Sequence, residues 1–163
     1  MTARRGEDRD VEQAVRDGKL ERVAPSVETA ELLLSAAQRH LKSAEHISDS
    51  DPEGGYALAY DAGRKAAAAL LAALGLRVRN TPGHHRITAH VAAKLFDTEA
   101  DTEFGQLERM RRRRNAIEYP EAQGTATSVD AETARTAIRW SRLMVTGARR
   151  LLDSGQLGAS GAR

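Results

Sequence analysis

The sequence predicts an all-α protein, a bundle of four to five helices with no sheet. Apolar residues recur at three- and four-residue spacing through several long segments, which is the pattern of a helix with one buried face. The 163 residues include many alanines and leucines, few aromatics (4%) and four prolines, a composition that favours helices over strands. No segment of any length alternates as a strand does, and this length suits one domain.

Three parts are expected along the chain. Residues 1–24 form a polar extension, partly disordered, with a short helix within 11–23. The helical domain covers 25–153, and the Gly/Ser/Ala-rich tail 154–163 is expected to be flexible.

The domain begins with two long helices. Ser26 is a suitable N-cap for a helix over 27–47, where apolar side chains repeat from Leu34 to Ala44. A loop at 48–55 precedes a second, alanine-rich helix over 56–74, which Gly75 ends.

Shorter helices follow a polar loop at 77–85. One is expected over 86–96, and the next starts near Thr102 with Phe104, Leu107 and Met110 facing inward. After a loop at 121–127, Ser128 or Asp130 caps a last helix that runs to about residue 152.

The most informative stretch is RRRRNAIEYP, residues 111–120. Arg111, Asn115 and Glu118 share one helical face, and Pro120 ends the helix near Tyr119. Arginine, asparagine and tyrosine side chains can contact a phosphodiester or a base edge. The central candidates are Arg114, Asn115 and Tyr119, and the further nucleic-acid-binding candidates are Arg109, Arg111, Arg112, Arg113, Arg64, Lys65, His84 and His85. The alternative is a solvated charged face.

Several classes of function are disfavoured. The chain has no cysteine, so it holds neither a disulfide nor a thiolate metal site. His84 and His85 are adjacent and therefore point apart, without a carboxylate spaced to help them, so neither a metal nor another cofactor is expected. No apolar run is long enough for a membrane span, and the polar start lacks a signal-peptide pattern, so a cytoplasmic protein is expected.

The helix order and the motif resemble the HEPN superfamily of small all-α domains over roughly residues 31–152. The family motif is an Arg, usually followed by a polar residue, and a His four to six positions later. Here Arg114 and Asn115 match it, and Tyr119 stands where a family ribonuclease carries His. The second helix, YALAYDAGRKAAAALLAALGL, is similar to the corresponding element of that family.

The resemblance implies a homodimer that cleaves RNA without metal in a shared cleft, often within a toxin–antitoxin or defence module with a nucleotidyltransferase partner. A phenol with a pKa of about 10 is a poor base at pH 7, so Tyr119 favours binding over catalysis. We therefore expect an RNA- or nucleotide-binding protein. The alternatives are an active metal-independent endoribonuclease using Arg114 and Tyr119, and a noncatalytic helical protein that binds a partner through its basic stripe.

Overall fold

A computed structural model describes residues 2–97, 102–120 and 128–157, with side chains from residue 9 onward. Within these ranges the chain forms six α-helices: α1 (Thr2–Arg16), α2 (Val27–Ile47), α3 (Pro52–Ala73), α4 (His84–Ala92), α5 (Leu107–Glu118) and α6 (Ala131–Asp153). A π-helical turn, Ala93–Asp97, continues α4, and a 3-10 turn, Phe104–Gln106, precedes α5. The predicted all-α bundle is confirmed.

The core is centred on α3, which packs against α2, α4, α5 and α6. Six of the nine alanines of α3 are buried and the other three are half-buried, which allows its neighbours to approach closely. On α6, the buried Ser141 hydroxyl donates to the Ala59 carbonyl at 2.6 Å and so fixes α6 on α3. Most of these small side chains therefore pack inside the chain.

Side-chain caps explain where the long helices begin. Ser26, Asp51 and Asp130 each accept a hydrogen bond from a backbone N–H three residues later, at the starts of α2, α3 and α6. The bounds of α2 and the Asp130 cap agree with the sequence prediction. The start of α3 does not, because Asp51 as cap and Pro52 in the first turn begin the helix four residues before Tyr56.

A small antiparallel sheet corrects the prediction that strands are absent. Strand β1 (Leu20–Arg22) pairs with β2 (Leu76–Val78) in the register Leu20↔Val78. Three residues are too few to show alternation in a sequence, so periodicity could not reveal them. The pair joins the segment after α1, which already begins at Thr2, to the segment after α3.

Asp97 fixes the start of α5 beside α4. Its carboxylate accepts hydrogen bonds from the Thr102 hydroxyl and the backbone N–H groups of Phe104 and Gly105, all at 2.7 Å. These bonds hold the 3-10 turn, and α5 then starts at Leu107, later than the predicted Thr102. The predicted loop 121–127 and the end of the predicted tail, 158–163, lie outside the described residues.

Candidate nucleic-acid interface

Helices α3, α4 and α5 bring three arginines and a histidine around one tyrosine. We call Arg64, Arg111, Arg114, His85 and Tyr60 the cationic cluster. The Arg114 guanidinium lies 5.7 Å from the centre of the Tyr60 ring, a cation–π distance. The fields of all three arginines reach both the Tyr60 hydroxyl and the His85 imidazole. Residues more than 20 positions apart in sequence therefore form one positive site.

Burial and charge shift the pKa values of the two uncharged members of the cluster. Burial raises the pKa of Tyr60, and the nearby arginines offset only part of that effect. Burial also lowers the pKa of His85 below 6.5, and His84, Arg64, Arg114 and Arg111 add to the lowering. At neutral pH, His85 is therefore a neutral imidazole and Tyr60 a neutral phenol.

Each arginine of the cluster has a carboxylate partner on its own helix. Arg64 contacts Asp61 at 2.5 Å, Arg111 contacts Glu108 at 2.9 Å, and Arg114 contacts Glu118 at 2.7 Å. The three arginine side chains are only 23–35% exposed, so packing and pairing restrict their positions. A bound phosphate would meet arginines that are already oriented, and it would compete with these acids for them.

Asp61 contacts basic side chains from two helices. It accepts hydrogen bonds from Arg64 and Lys65, and its Oδ2 lies 2.6 Å from His40 Nδ1 on α2. The His40 contact has an ion-pair distance without the alignment of a hydrogen bond. Burial alone would raise the pKa of Asp61, but Lys65 and Arg64 lower it to about 2. Asp61 is therefore ionised throughout the physiological range.

On α5, Glu108 is likewise a carboxylate that several arginines contact. Arg111 donates to both of its oxygens at 2.9 Å, Arg112 donates to one at 3.1 Å, and Arg86 approaches from α4 at 3.7 Å. The hydrogen bond from Arg111 is the largest of the effects that hold the pKa of Glu108 at about 2, against the opposing effect of burial. Glu108 thus connects the cluster with exposed arginines outside it.

The other predicted site residues lie around this cluster. Arg109 stacks 5.7 Å from the Trp140 ring of α6, while Arg112 and Arg113 are exposed. The His84 ring packs 3.8 Å from that of His85, so the prediction that these adjacent side chains point apart is wrong. Both lie in the first turn of α4, where successive side chains are about 100° apart and not opposite. The His84 Nδ1 lies 3.0 Å from the Thr81 carbonyl oxygen.

The two remaining motif residues stand at the carboxyl end of α5. The Asn115 carbonyl accepts the Tyr119 N–H, and the Tyr119 side chain is 59% exposed. Arg64, Arg111, Arg114 and His85 are thus brought together, whereas Arg109 and Arg113 lie on another side of α5, near Tyr56.

Sequence reasoning missed Tyr60, Asp61 and Glu108 as members of this site. Tyr60 belongs to an apolar stripe of α3, which indicates a core residue, and only 4% of it is exposed. A usable signal was the spacing of Asp61, Arg64 and Lys65, since residues three and four apart on a helix form ion pairs. Glu108 has the same spacing to Arg111 and Arg112.

Neither a metal site nor a membrane-spanning helix is found among the described residues. Among them, no group of three or more His, Asp or Glu side chains is placed to hold a metal ion. None of the described helices combines the length and apolar character needed to cross a membrane. Comparisons with protein families, curated proteins and solved structures find no match for this chain.

Proposed function

We propose that this chain is a HEPN-like RNA- or nucleotide-binding protein whose cationic cluster holds a phosphate group. The observation that carries the proposal is the convergence of Arg64, Arg111 and Arg114 from two helices around Tyr60. Guanidinium groups bind phosphate through paired, charge-assisted hydrogen bonds. The resemblance of the Arg114–Tyr119 stretch to the HEPN motif supports RNA as the source of that phosphate.

Partly neutralised arginines suit reversible binding. Asp61, Glu108 and Glu118 keep the guanidiniums in place when the site is empty, which limits the side-chain entropy lost on binding. A phosphate oxygen then exchanges for a carboxylate oxygen on the same arginine. The resemblance also places such a protein in a toxin–antitoxin or defence module beside a nucleotidyltransferase-type protein, and that setting belongs to the same proposal.

A second candidate function is metal-independent RNA cleavage, and the neutral His85 favours it. A neutral imidazole among arginines can remove the proton from a ribose 2′-hydroxyl. The 2′-oxygen then forms a bond to phosphorus, the bond from phosphorus to the 5′-oxygen breaks, and the leaving oxygen takes up a proton. The arginines stabilise the charge that develops on the phosphate oxygens.

The binding test compares two arginine-to-alanine variants and one glutamate-to-glutamine variant. Arg114→Ala should weaken binding of RNA or a nucleotide by about 1.5–3 kcal/mol, the range for hydrogen bonds to charged groups. Arg139→Ala, on the exposed face of α6, removes the same charge outside the cluster and should leave affinity nearly unchanged. Glu118→Gln should strengthen binding because it releases Arg114. Fluorescence anisotropy at low salt measures all three.

A defined result would reject the cluster as the site. If the wild type binds neither RNA nor nucleotide at low salt and Arg114→Ala unfolds the protein, Arg114 is a structural partner of Glu118. The basic stripe would then serve a helical protein partner, which is the third alternative.

Cleavage is tested with purified protein in EDTA. If the second candidate holds, the wild type cleaves RNA, His85→Asn abolishes cleavage, and RNA binding survives. Tyr119→Phe separates the roles of the phenol, since loss of cleavage with retained binding would place its hydroxyl in proton transfer. Tyr119→His restores the residue found in family ribonucleases and should create or raise activity.

A further inference from the structure

Two hollows outside the cationic cluster share Glu108 as a lining residue, and together we call them the trough. One hollow, of ≈ 490 Å³, lies between α4, the turn before β1 and the start of α5, and Lys19, Arg86 and His90 contribute basic side chains to it. A second hollow, of ≈ 530 Å³, is lined by Arg109, Arg112 and Arg113. Gly105 and Glu108 line both hollows, so the two adjoin at these residues.

The charges of this trough suit a polyanion. Five Lys and Arg side chains line it against one carboxylate, that of Glu108, among the residues that the structure describes. Arg86 and Arg112 are 64% and 70% exposed, so water screens their pairing with Glu108. Such weakly paired guanidiniums remain able to bind phosphate.

The apolar residues that line the first hollow indicate which kind of polyanion the trough binds. Pro82, Ile87 and Ala93, which are exposed or half-buried, give the first hollow apolar surface between its basic side chains. Phosphates of a single strand can meet the cations while its splayed bases cover the apolar surface. A duplex would present its backbone and keep its bases stacked inside, so no base would cover the apolar surface.

The amino end of α4 opens into the same hollow. Gly83, which lines it, precedes the helix in a left-handed conformation, and no side chain caps the helix there. A methyl group added at Gly83 would meet nothing within 4 Å, so the space beside this residue is open. The positive end of the helix dipole adds to the field of Arg86.

From these observations we infer that the trough binds the part of a single-stranded RNA that flanks the phosphate in the cationic cluster. This inference rests on the proposed function and selects a strand of several nucleotides over a mononucleotide as its ligand. Glu108 joins the two regions, since it pairs with Arg111 of the cluster and with Arg86 and Arg112 of the trough.

The test measures how affinity grows with strand length. A labelled dinucleotide is compared with oligouridylates of roughly 4–16 nucleotides, the range that single-strand grooves bind. The longer strands should bind the wild type more tightly. The double variant Lys19→Gln/Arg86→Gln should lose about 2- to 30-fold of that gain, as expected for two exposed charge contacts. Its dinucleotide affinity should not change.

Salt dependence gives a second, independent measurement. The slope of log affinity against log salt should fall by about 0.7 for each phosphate contact removed, and hence by about 1.4 in the double variant. Arg39→Gln/Lys42→Gln on α2 removes the same charge from exposed positions that do not line the trough. It should keep both the length gain and the slope. Equal melting temperatures would show that both double variants are folded.

Three results would overturn the inference: affinity that does not grow with length, an equal loss in the α2 double variant, or displacement of the strand by an oligoglutamate peptide as readily as by unlabelled RNA. The last would indicate an acidic protein partner instead. The inference and the proposed function also fail separately. If a dinucleotide binds through Arg114 but affinity does not grow with length, only the trough is rejected as a binding site. If strand binding survives Arg114→Ala, only the cationic cluster is rejected as the phosphate site.

Discussion

At the scale of single residues, the charge of Asp61 supports both the fold and the site. Its carboxylate joins α2 to α3 through His40 and holds Arg64 in the cluster. Its pKa falls from 3.8 to about 2 on folding, so the stability it contributes is present above pH 3.8 and is lost as pH falls through about 2.

Asp61→Asn should therefore lower the free energy of unfolding at pH 7 by about 2 kcal/mol. The difference from the wild type should shrink below pH 3.8 and vanish near pH 2. Asp49→Asn breaks an exposed pair with Arg135 and should change stability by less than about 0.5 kcal/mol. Urea unfolding across this pH range measures both, and equal losses in the two variants would contradict the role of Asp61.

His85 should make the protein sensitive to mild acid. Its folded pKa lies below 6.5, so the stability that it contributes is present above pH 6.5 and declines as pH falls through the folded pKa. His85→Asn should lose less stability than the wild type between neutral pH and pH 5. Bound phosphate should raise the pKa of His85, which proton NMR of the five histidines can follow. An unchanged His85 pKa with ligand bound would place the phosphate elsewhere.

The sequence predicted the arginines of the cluster but not the tyrosine beside them. Helical spacing related Arg111, Asn115 and Glu118 correctly, because the relation lies within one helix. Tyr60 and Arg114 meet only after α3 and α5 pack together, and no local pattern encodes that contact. Tyr60 also belongs to an apolar stripe, which made it look like an ordinary core residue.

At the scale of elements, the end of α3 and the start of β2 depend on Gly75. Its φ of +71° is left-handed, and a methyl group there would lie 2.5 Å from the Val23 carbonyl oxygen. Gly75→Ala should destabilise the protein by the left-handed penalty of about 1–2 kcal/mol plus a clash of about 1–3 kcal/mol. Gly83→Ala has the same kind of φ but open space around the added methyl group. Its free energy of unfolding should therefore fall only by the left-handed penalty. Thermal unfolding compares them, and equal losses would contradict the clash.

Elements with their own local signals were predictable, and those defined by a partner were not. The bounds of α2 follow from the Ser26 cap and its five buried apolar positions. Strands β1 and β2 exist only through their pairing, at a sequence separation too large for a local pattern to show. The later start of α5 likewise depends on Asp97, which accepts hydrogen bonds from residues five to eight positions ahead.

At the scale of the whole molecule, the homodimer that the HEPN resemblance implies needs a surface that one chain leaves open. Most alanines of α3 cannot supply it, because they are buried within the chain. Tyr119 offers an exposed aromatic side chain at the end of α5, next to Glu118 and its partner Arg114. A dimer that joins the two motif stretches, as the HEPN resemblance implies, would bury Tyr119 of both chains and place two cationic clusters in one cleft.

Light scattering should then give twice the 17.7 kDa chain mass at micromolar concentration. Tyr119→Asp should shift the protein to the monomer, because a buried, unpaired carboxylate at an aromatic contact is strongly unfavourable. Leu32→Asp on α2 alters another exposed apolar side chain and should leave the dimer intact. A wild-type monomer would reject the dimer. If Leu32→Asp dissociates the dimer and Tyr119→Asp does not, the two chains meet through α2 and each cationic cluster acts alone.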